Sequence, residues 1–500
     1  MNLGMLLDMA ADGLADRVAL GGSADGITFE ELRTRARRVA AFLAAADGER
    51  IGFVDLNTDA VPLALFGAAL AGKPFAPVNY RLADAQLTAI LRRMAPAVVI
   101  VGPGVAERIA DVESVTALPR ERLLQVAADP AAPQLPDGFV DPEDVAVLLF
   151  TSGTTGEPKA AVLRHRNLAS YVLSTVEFGG AGQEEATLVS VPPYHIAGVS
   201  AVLSNLYAGR RAVRLESFEP SQWVQVARSE AVTHAMVVPT MLNRILDALE
   251  TDPSGTAGLP ALRTLSYGGG PMPLPVIERA LTALPGVGFV NAYGLTETSS
   301  TIAVLGPDDH REAFSSPDPV VRARLGSVGR PLPSVTVSIR DPFEEELPAG
   351  ERGEIWVRGE QVSGEYLGKA GLDDGWFRTR DGGMLDEAGY LFVYGRLDDV
   401  IVRGGENLSP GEIEAVLLEH PEVAEAAVFG VPDTEWGEKV VAAVVLEPGA
   451  STDPEQLRAH VRTRLRSTCT PEHIQIRSSL PYTETGKLLR RELRAELAGA

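Results

Sequence analysis

Apolar residues recur in two patterns along the first two thirds of the chain. Residues 29–45 and 60–71 have apolar positions three and four apart, the spacing of helices, whereas 51–54 and 97–101 are short apolar runs typical of buried strands. Further buried strands are predicted at 186–191, 233–238 and 264–267. Alternating helices and buried strands predict parallel sheets flanked by helices, which is an α/β fold.

The pattern changes after about residue 325, where short strands alternate with turn residues. These strands are predicted at 335–339, 353–358 and 390–393. Closer to the C-terminus, helices are predicted at 411–418 and 454–465 and strands at 426–429 and 440–446. We therefore predict a large N-terminal domain of stacked α/β subdomains over 1–397, with a β-rich subdomain over about 325–397, and a small α+β domain over 398–500.

Composition and charge narrow the classes of function. The 500 residues include 45 Lys and Arg against 67 Asp and Glu, a net charge of −22 that repels nucleic acid and anionic membrane surfaces. No nucleic-acid partner is expected, and the longest apolar stretch, residues 61–72, is too short to span a membrane. The single cysteine, Cys469, excludes an intramolecular disulfide and fits a cytoplasmic location, as does the lack of a signal peptide pattern.

An apolar run, residues 147–150, leads into the strongest chemical signal in the chain. That signal is a loop of Thr151, Ser152, Gly153, Thr154, Thr155 and Gly156, followed by Lys159. Glycines let successive backbone N–H groups turn toward one anion, hydroxyl groups add donors and the lysine adds charge, so the loop predicts a polyphosphate site. A solvated turn is the alternative, and the Walker pattern is excluded because Glu157 and Pro158 separate Gly156 from Lys159.

A second group of motifs follows buried strands in the same way. The residues are Gly268, Gly269 and Gly270, and then Asn291, Ala292, Tyr293 and Gly294 before Thr296 and Glu297. Ligands collect at the carboxyl ends of the strands in sheets of this kind, and a carboxylate such as Glu297 suits Mg²⁺. The alternatives are an ordinary glycine turn at 268–270 and a helix N-cap at Thr296.

Residues 151–159 and 291–298 resemble the signature motifs of the adenylate-forming superfamily. This superfamily includes acyl- and aryl-CoA synthetases, nonribosomal peptide adenylation domains and firefly luciferase. Matching motifs follow in the same order along nearly the whole chain. The resemblance implies an AMP-forming acid–thiol ligase: ATP and Mg²⁺ convert a small carboxylic acid to its acyl-adenylate, and coenzyme A then accepts the acyl group.

The resemblance also assigns roles to residues in the nucleotide site. Tyr293 would stack on adenine, Thr296 would contact the α-phosphate and Glu297 would hold Mg²⁺. Asp381 would bind the ribose hydroxyls, Arg396 the ribose or phosphate, and Lys487 would bridge the carboxylate and the α-phosphate during attack. The motif positions 268–270 and 291–294 would border the adenine.

Other matching segments are expected at the acyl pocket and the domain junction. The acyl pocket is expected to contain Tyr194, His195, Val238, Pro239, Thr240 and Tyr267, with His195 also a candidate catalytic residue at its edge. Asp398 matches the hinge about which the mobile C-terminal domain turns. Gly404, Gly405 and Glu406 match the loop that lines the thiol channel.

The chain departs from the family pattern at Arg380, where most members have glycine, and at Ala160 and Arg164. A cation at residue 380 could stabilise nucleotide phosphates or obstruct them. Arg380 therefore leaves open a thiolation-only adenylate-binding homologue. A second alternative, independent of Arg380, is a stand-alone adenylation enzyme that loads a carrier-protein phosphopantetheine. Free coenzyme A is favoured because the sequence contains no carrier domain. The sequence discloses neither the acid nor the oligomeric state, for which a homodimer is one option.

Overall fold

The computed structural model describes residues 1–151, 159–252, 255, 259–369, 371–372, 374–404, 406–433, 436–482 and 488–498. The helices are α1 (Leu3–Leu14), α2 (Phe29–Ala44), α3 (Ala60–Leu70), α4 (Asp84–Met94), α5 (Val105–Arg108), α6 (Arg120–Ala128), α7 (His165–Thr175), α8 (Ile196–Ala208), α9 (Pro220–Ser229), α10 (Pro239–Thr251), α11 (Leu274–Ala283), α12 (Pro307–Ser315), α13 (Pro319–Ala323), α14 (Pro410–Leu418), α15 (Pro454–Arg462) and α16 (Arg490–Ala498). The strands are β1 (Val18–Leu20), β2 (Ile27–Thr28), β3 (Arg50–Val54), β4 (Phe75–Pro77), β5 (Ala97–Val101), β6 (Val115–Pro119), β7 (Val145–Thr151), β8 (Lys159–Arg164), β9 (Ala186–Val189), β10 (Arg211–Arg214), β11 (His234–Val237), β12 (Thr264–Gly268), β13 (Gly288–Leu295), β14 (Ser300–Leu305), β15 (Arg330–Pro331), β16 (Val335–Arg340), β17 (Gly353–Gly359), β18 (Glu365–Tyr366), β19 (Phe377–Leu385), β20 (Leu391–Arg396), β21 (Ile401–Arg403), β22 (Glu406–Leu408), β23 (Val423–Asp433), β24 (Gly437–Leu446) and β25 (His473–Arg477).

Two large sheets with mostly parallel centres form the body of the N-terminal region. One sheet has the strand order β18-β8-β7-β4-β3-β5-β6, and the other β15-β14-β13-β12-β11-β9-β10-β1-β2. Helix α3 is apolar on every face and its residues 60–69 are all buried, because it lies in the shared core between α1, α2, α8 and the first sheet. The predicted α/β class with stacked subdomains is confirmed.

The two remaining sheets lie later in the chain, as predicted. Strands β16-β17-β19-β20 form a small antiparallel sheet, and β22-β21-β24-β23 with β25 form a sheet whose residues all follow residue 400. Helices α14 and α16 pack on β23, and α15 packs on β25. The domain boundaries at 397 and 398 stay a prediction. Throughout the described ranges, no helix has the length and apolar character needed to cross a bilayer.

Some strands are longer than predicted because their length is set by backbone pairing with a neighbouring strand. The strand predicted at 426–429 is part of β23, which has 11 residues because β24 pairs with it from Val423 opposite Leu446 to Asp433 opposite Gly437. A polar residue such as Glu425 does not interrupt this ladder, since backbone groups form it. The strand predicted at 390–393 extends to Arg396 for the same reason, opposite Asp381 on β19.

Candidate active site

The predicted phosphate loop joins two neighbouring strands of the first sheet. Thr151 ends β7 and Lys159 begins β8, and the two residues are paired across the antiparallel ladder. Ser152, Gly153, Thr154, Thr155 and Gly156 lie outside the described residues. Because Thr151 and Lys159 are paired, the two residues that flank the loop lie side by side at the carboxyl end of β7.

Glycines of the second motif lie where β12 and β13 meet. Gly268 pairs with Ala292, and a Cβ atom on Gly268 would lie only 2.3 Å from the Ala292 carbonyl oxygen. Gly269 has a φ of +81°, a left-handed conformation that favours glycine. A Cβ on Gly270 would meet no other atom within 4 Å. The backbone of this turn is therefore closely packed on one side and open at its end.

The motif with Tyr293 lies on β13, which leads into a short 3-10 helix, Thr296–Thr298. Leu295 occupies the N-cap position and Thr296 is already the first helical residue, so the N-cap interpretation of Thr296 is wrong. The Thr298 hydroxyl accepts a hydrogen bond from the Leu295 N–H. The Asn291 amide group donates to the Ser327 carbonyl and is buried. The Asn291 side chain therefore bonds to a backbone group, whereas the side chains of Tyr293 and Glu297 bond to other side chains.

Asp381 is the centre of one hydrogen-bonded group. The Tyr293 hydroxyl donates to Asp381 Oδ2 at 2.6 Å, and Arg396 Nη1 donates to Asp381 Oδ1 at 3.0 Å. Arg396 also donates to the Thr379 carbonyl at 2.9 Å. Burial and the Asp381 charge raise the pKa of Tyr293 well above its ordinary value, so the hydroxyl keeps its proton. These contacts hold the tyrosine ring, the aspartate and the arginine in one arrangement.

Glu297 is held from two directions. Its carbonyl oxygen accepts backbone N–H groups from Ser363 at 2.9 Å and Gly364 at 3.1 Å. Its carboxylate Oε1 accepts the Tyr366 hydroxyl at 2.5 Å. Burial and the charge of Glu297 raise the pKa of Tyr366 above its ordinary value, so Tyr366 is the donor.

The chemistry of Glu297 fits a magnesium ion carried by a nucleotide. Among the residues with described positions, no group of three or more His, Cys, Asp or Glu side chains could form a metal cage. Mg²⁺ bound with phosphates commonly takes one or two carboxylates and completes its shell with phosphate oxygens and water. A single carboxylate with its geometry fixed by Tyr366 meets that requirement.

Residues far apart in the sequence form one cluster here. Lys159 Nζ lies 5.9 Å from the centre of the Tyr366 ring, and Tyr366 contacts Glu297. Burial by itself would lower the pKa of Arg396. The negative charge of Asp381, with a smaller effect from Glu297, outweighs burial and raises the pKa of Arg396 above its ordinary value. We refer to Lys159, Tyr293, Glu297, Tyr366, Asp381 and Arg396 together as the charged cluster. The cluster joins the first sheet, the second sheet and the small antiparallel sheet.

Arg380 occupies a backbone conformation that favours glycine. Its φ is +63°, in the left-handed region. Its side chain is 55% exposed, and its Nε lies 3.9 Å from Glu354 Oε1. Arg378, two residues earlier, also pairs with Glu354. Arg380 therefore points away from the Asp381 contacts and does not obstruct them.

We expect Arg380→Gly to leave nucleotide binding within about two-fold of wild type and to change the free energy of unfolding by at most about 1 kcal/mol. Relief of the left-handed strain stabilises the folded state, whereas the freedom of glycine in the unfolded chain offsets that gain. Calorimetric ATP binding and denaturant unfolding measure both quantities. A ten-fold change in ATP affinity would show that Arg380 acts on the nucleotide.

The predicted acyl-pocket residues lie at the ends of β9, β11 and β12 and the starts of α8 and α10. The rings of Tyr194 and His195 are 4.6 Å apart, and Tyr80 lies 6.1 Å from Tyr194. Burial lowers the pKa of His195 to about 4, so its imidazole is neutral at physiological pH. Val238 caps α10, which begins with Pro239 and Thr240. Val238 lies beside Gly269: its Cγ1 is 3.6 Å from a Cβ built there.

Tyr267 is fully buried and its hydroxyl bonds His310 Nε2 at 2.8 Å. His310 Nδ1 in turn contacts the Gly306 carbonyl at 2.7 Å. The polar end of Tyr267 is therefore engaged by α12, and only its ring is available to line a pocket. This restricts the role predicted for Tyr267 to shape.

The hinge and thiol-channel residues lie in and after a 3-10 helix, Leu397–Asp399. Asp398 is exposed, and Gly404, with φ +57°, packs against Trp436. Glu406 lies 3.6 Å from Arg466, so the described contacts of this loop are with the C-terminal sheet region. Gly405 and Lys487 lie outside the described residues.

Sequence reasoning missed Tyr366, Ser363 and Gly364. These residues fall in a segment with a strand of only two residues, where no periodicity is measurable. Their contacts to Glu297 arise because β18 crosses to pair with β8 of the first sheet.

The fold, with its two stacked α/β sheets and a small C-terminal domain, is that of the adenylate-forming enzymes. The chain belongs to this family: the model for "AMP-binding enzyme" matches residues 7–367, and that for "AMP-binding enzyme C-terminal domain" matches residues 412–487. The predicted superfamily and its class of AMP-forming acid ligases are therefore confirmed.

Named relatives extend this comparison. A feruloyl-CoA synthase of Amycolatopsis sp. is 36% identical over 96% of this chain and 95% of its own. The fatty acid–[acyl-carrier-protein] ligase ScoC of Streptomyces coeruleorubidus is 34% identical over 95% and 92%, respectively. The solved o-succinylbenzoate CoA synthetase of Bacillus subtilis, in complex with an acyl-adenylate intermediate, is 28% identical with a TM-score of 0.83 and covers 98% of this chain and 97% of that one.

Proposed function

We propose that the protein is an ATP-dependent carboxylic acid:CoA ligase whose nucleotide is held by the charged cluster. The observation that carries the proposal is the convergence of three residues: Lys159 on β8, Glu297 in the 3-10 helix after β13, and Asp381 on β19. Tyr366, Tyr293 and Arg396 connect them. Such a cluster presents cations to phosphate oxygens and a carboxylate to a ribose diol. It does so in a chain whose overall charge of −22 repels phosphates.

In the proposed first step, a carboxylate oxygen of the acid attacks the α-phosphorus of ATP. The new bond joins that oxygen to phosphorus, the bond to the β-phosphate oxygen breaks and pyrophosphate leaves. Lys159 and the 151–156 loop hold the phosphates, Thr296 contacts the α-phosphate and Lys487 neutralises charge that builds on the reacting oxygens. Asp381 and Tyr293 hold the nucleoside, so most of the acceleration comes from positioning.

Magnesium bound at Glu297 would neutralise charge on the departing pyrophosphate. The residues of this chain orient that carboxylate: the Ser363 and Gly364 N–H groups fix its backbone and Tyr366 fixes one oxygen.

In the proposed second step, the sulfur of coenzyme A attacks the carbonyl carbon of the acyl-adenylate. A carbon–sulfur bond forms, the carbon–oxygen bond to AMP breaks and the thiol proton passes to solvent. We propose that the C-terminal domain turns about Asp398 between the steps, which replaces Lys487 by the loop at Gly404, Gly405 and Glu406.

We further propose that the acid has an aromatic acyl group. The rings of Tyr80, Tyr194 and His195 adjoin one another, with centres 6.1 Å and 4.6 Å apart, and so form a continuous aromatic wall. An aromatic acyl group can stack on such rings. The named feruloyl-CoA synthase relative is consistent with an aromatic acid.

An acid panel with ATP and coenzyme A tests both proposals. We expect acyl-CoA and AMP as products, with kcat/KM for hydroxycinnamic acids such as ferulic acid at least about ten-fold above that for malonic acid, because malonic acid has no ring to stack on Tyr80, Tyr194 and His195. Equal rates with malonic acid would refute the aromatic acyl group. The carrier-loading alternative predicts product only with a holo-carrier protein. The ScoC relative, named as an acyl-carrier-protein ligase, is consistent with this alternative. A thiolation-only homologue predicts no acid-dependent pyrophosphate exchange.

The cytoplasmic location and a homodimer stay proposals from the sequence. Size-exclusion chromatography with light scattering measures the second directly.

A further inference from the structure

We propose that Tyr366 is a positioning residue that sets the affinity of the site for magnesium by fixing the Glu297 carboxylate. The inference rests on the magnesium role proposed above for Glu297. Three structural observations, together with the position of Lys159, support this role.

The first observation is the hydrogen bond itself. Tyr366 donates to Glu297 Oε1 at 2.5 Å. A charge-assisted O–H bond restricts the rotation of the carboxylate. With Oε1 held by the tyrosine, Oε2 is the oxygen that we expect to bind a metal ion.

The second observation is that the backbone on both sides of this bond is held. Ser363 and Gly364 donate to the Glu297 carbonyl, and the Ser363 hydroxyl donates to the Val162 carbonyl on β8. Tyr366 is paired with Ala161 in the β8–β18 ladder. The donor and the acceptor of the Tyr366–Glu297 bond are therefore parts of one hydrogen-bonded unit, so the bond geometry is set in advance.

The third observation concerns Arg164, one of the departures from the family pattern. Its Nε and Nη2 atoms form a bidentate pair with Glu365, at 3.0 and 2.9 Å. Glu365 is the residue next to Tyr366, and both side chains of the pair are only about a third exposed or less. A planar two-bond pair fixes orientation as well as distance. Arg164 thus anchors the two-residue strand that carries Tyr366.

Lys159 completes the geometry, since its Nζ lies 5.9 Å from the centre of the Tyr366 ring. The same tyrosine therefore contacts the lysine of the phosphate loop with its ring and the carboxylate with its hydroxyl. A carboxylate that binds a metal is usually hydrogen-bonded by a second residue, and loss of that residue typically lowers metal affinity by about 10–100-fold. We assign this role to Tyr366.

The test is Tyr366→Phe in the full chain, which removes one hydroxyl and keeps the ring. The half-saturating Mg²⁺ concentration for acid-dependent ATP–pyrophosphate exchange is expected to rise about 10–100-fold. ATP binding by calorimetry is expected to weaken in the presence of Mg²⁺, whereas AMP binding in EDTA stays within two-fold. Wild-type Mg²⁺ dependence, or an equal loss of AMP affinity in EDTA, would overturn the inference.

Tyr390→Phe is a matched control, because the Tyr390 hydroxyl donates to the Asp309 carboxylate at 2.6 Å outside the charged cluster. It is expected to leave the Mg²⁺ dependence unchanged. Glu297→Gln separates the two proposals. If it leaves the Mg²⁺ dependence at the wild-type value, the magnesium role of Glu297 is wrong and the Tyr366 inference is overturned with it. If Glu297→Gln shifts the Mg²⁺ dependence and Tyr366→Phe does not, only the Tyr366 inference is overturned.

Discussion

Replacement of Lys487 by alanine is expected to lower acid-dependent ATP–pyrophosphate exchange by about 10²–10³-fold, the usual effect of removing one group that stabilises transition-state charge. The residue follows Gly486 in the sequence, and we expect its ammonium group to follow the charge that builds on the α-phosphate. Its effect should be confined to adenylation. Transfer of the acyl group from synthetic acyl-adenylate to coenzyme A is therefore expected to continue within a few-fold of the wild-type rate.

Lys439→Ala is the control for this variant, since Lys439 is also a lysine of the C-terminal region and lies on β24. It should leave pyrophosphate exchange unchanged. Equal losses in adenylation and in acyl transfer by Lys487→Ala would contradict a lysine that acts in the first step alone. Such a result would instead indicate a general disturbance of the C-terminal domain.

The second large effect is expected at Asp381. Asp381→Asn should raise the dissociation constant for ATP by about 10–100-fold, because a hydrogen bond to a charged group contributes about 1.5–3 kcal/mol. The amide also replaces one acceptor oxygen by a donor that faces the donors of Tyr293 and Arg396. Calorimetric titration of ATP and AMP measures the change, and both nucleotides should weaken alike because both carry the ribose.

Glu354→Gln provides a comparison in the same small sheet. Glu354 is a buried carboxylate paired with Arg378, and its side chain is 7% exposed, similar to the 9% of Asp381. It should affect stability without a specific loss of nucleotide affinity. If both variants weaken ATP binding equally, the role proposed for Asp381 in ribose recognition is wrong.

Local patterns were sufficient for the elements that carry the predicted site. Strand β5 has the predicted limits, 97–101, because five consecutive apolar residues bury on both faces of a parallel sheet. The strand predicted at 264–267 is β12, which extends one residue further to Gly268. In each case the signal depends on residues adjacent in the sequence.

Contacts made by side chains across different sheets were not predictable in this way. The Tyr293 hydroxyl bonds Asp381, 88 positions away, and Tyr366 bonds Glu297, 69 positions away. The sequence interpretation placed Tyr293 against adenine by its ring, and it contained no information on the partner of the hydroxyl. The conformation of Arg380 was equally hidden, since a positive φ at a non-glycine residue follows from the irregular β17–β19 pairing.

The sequence by itself determined the fold class and the order of the motifs, because hydrophobic periodicity and turn residues act over a few neighbouring positions. Only the tertiary structure decided which donor meets which carboxylate. Strand crossing and sheet stacking set those distances, as when β18 joins β8 and carries Tyr366 to Glu297. Hydrogen bonds require partners within about 3 Å, and residues far apart in the chain reach that distance only through the complete fold.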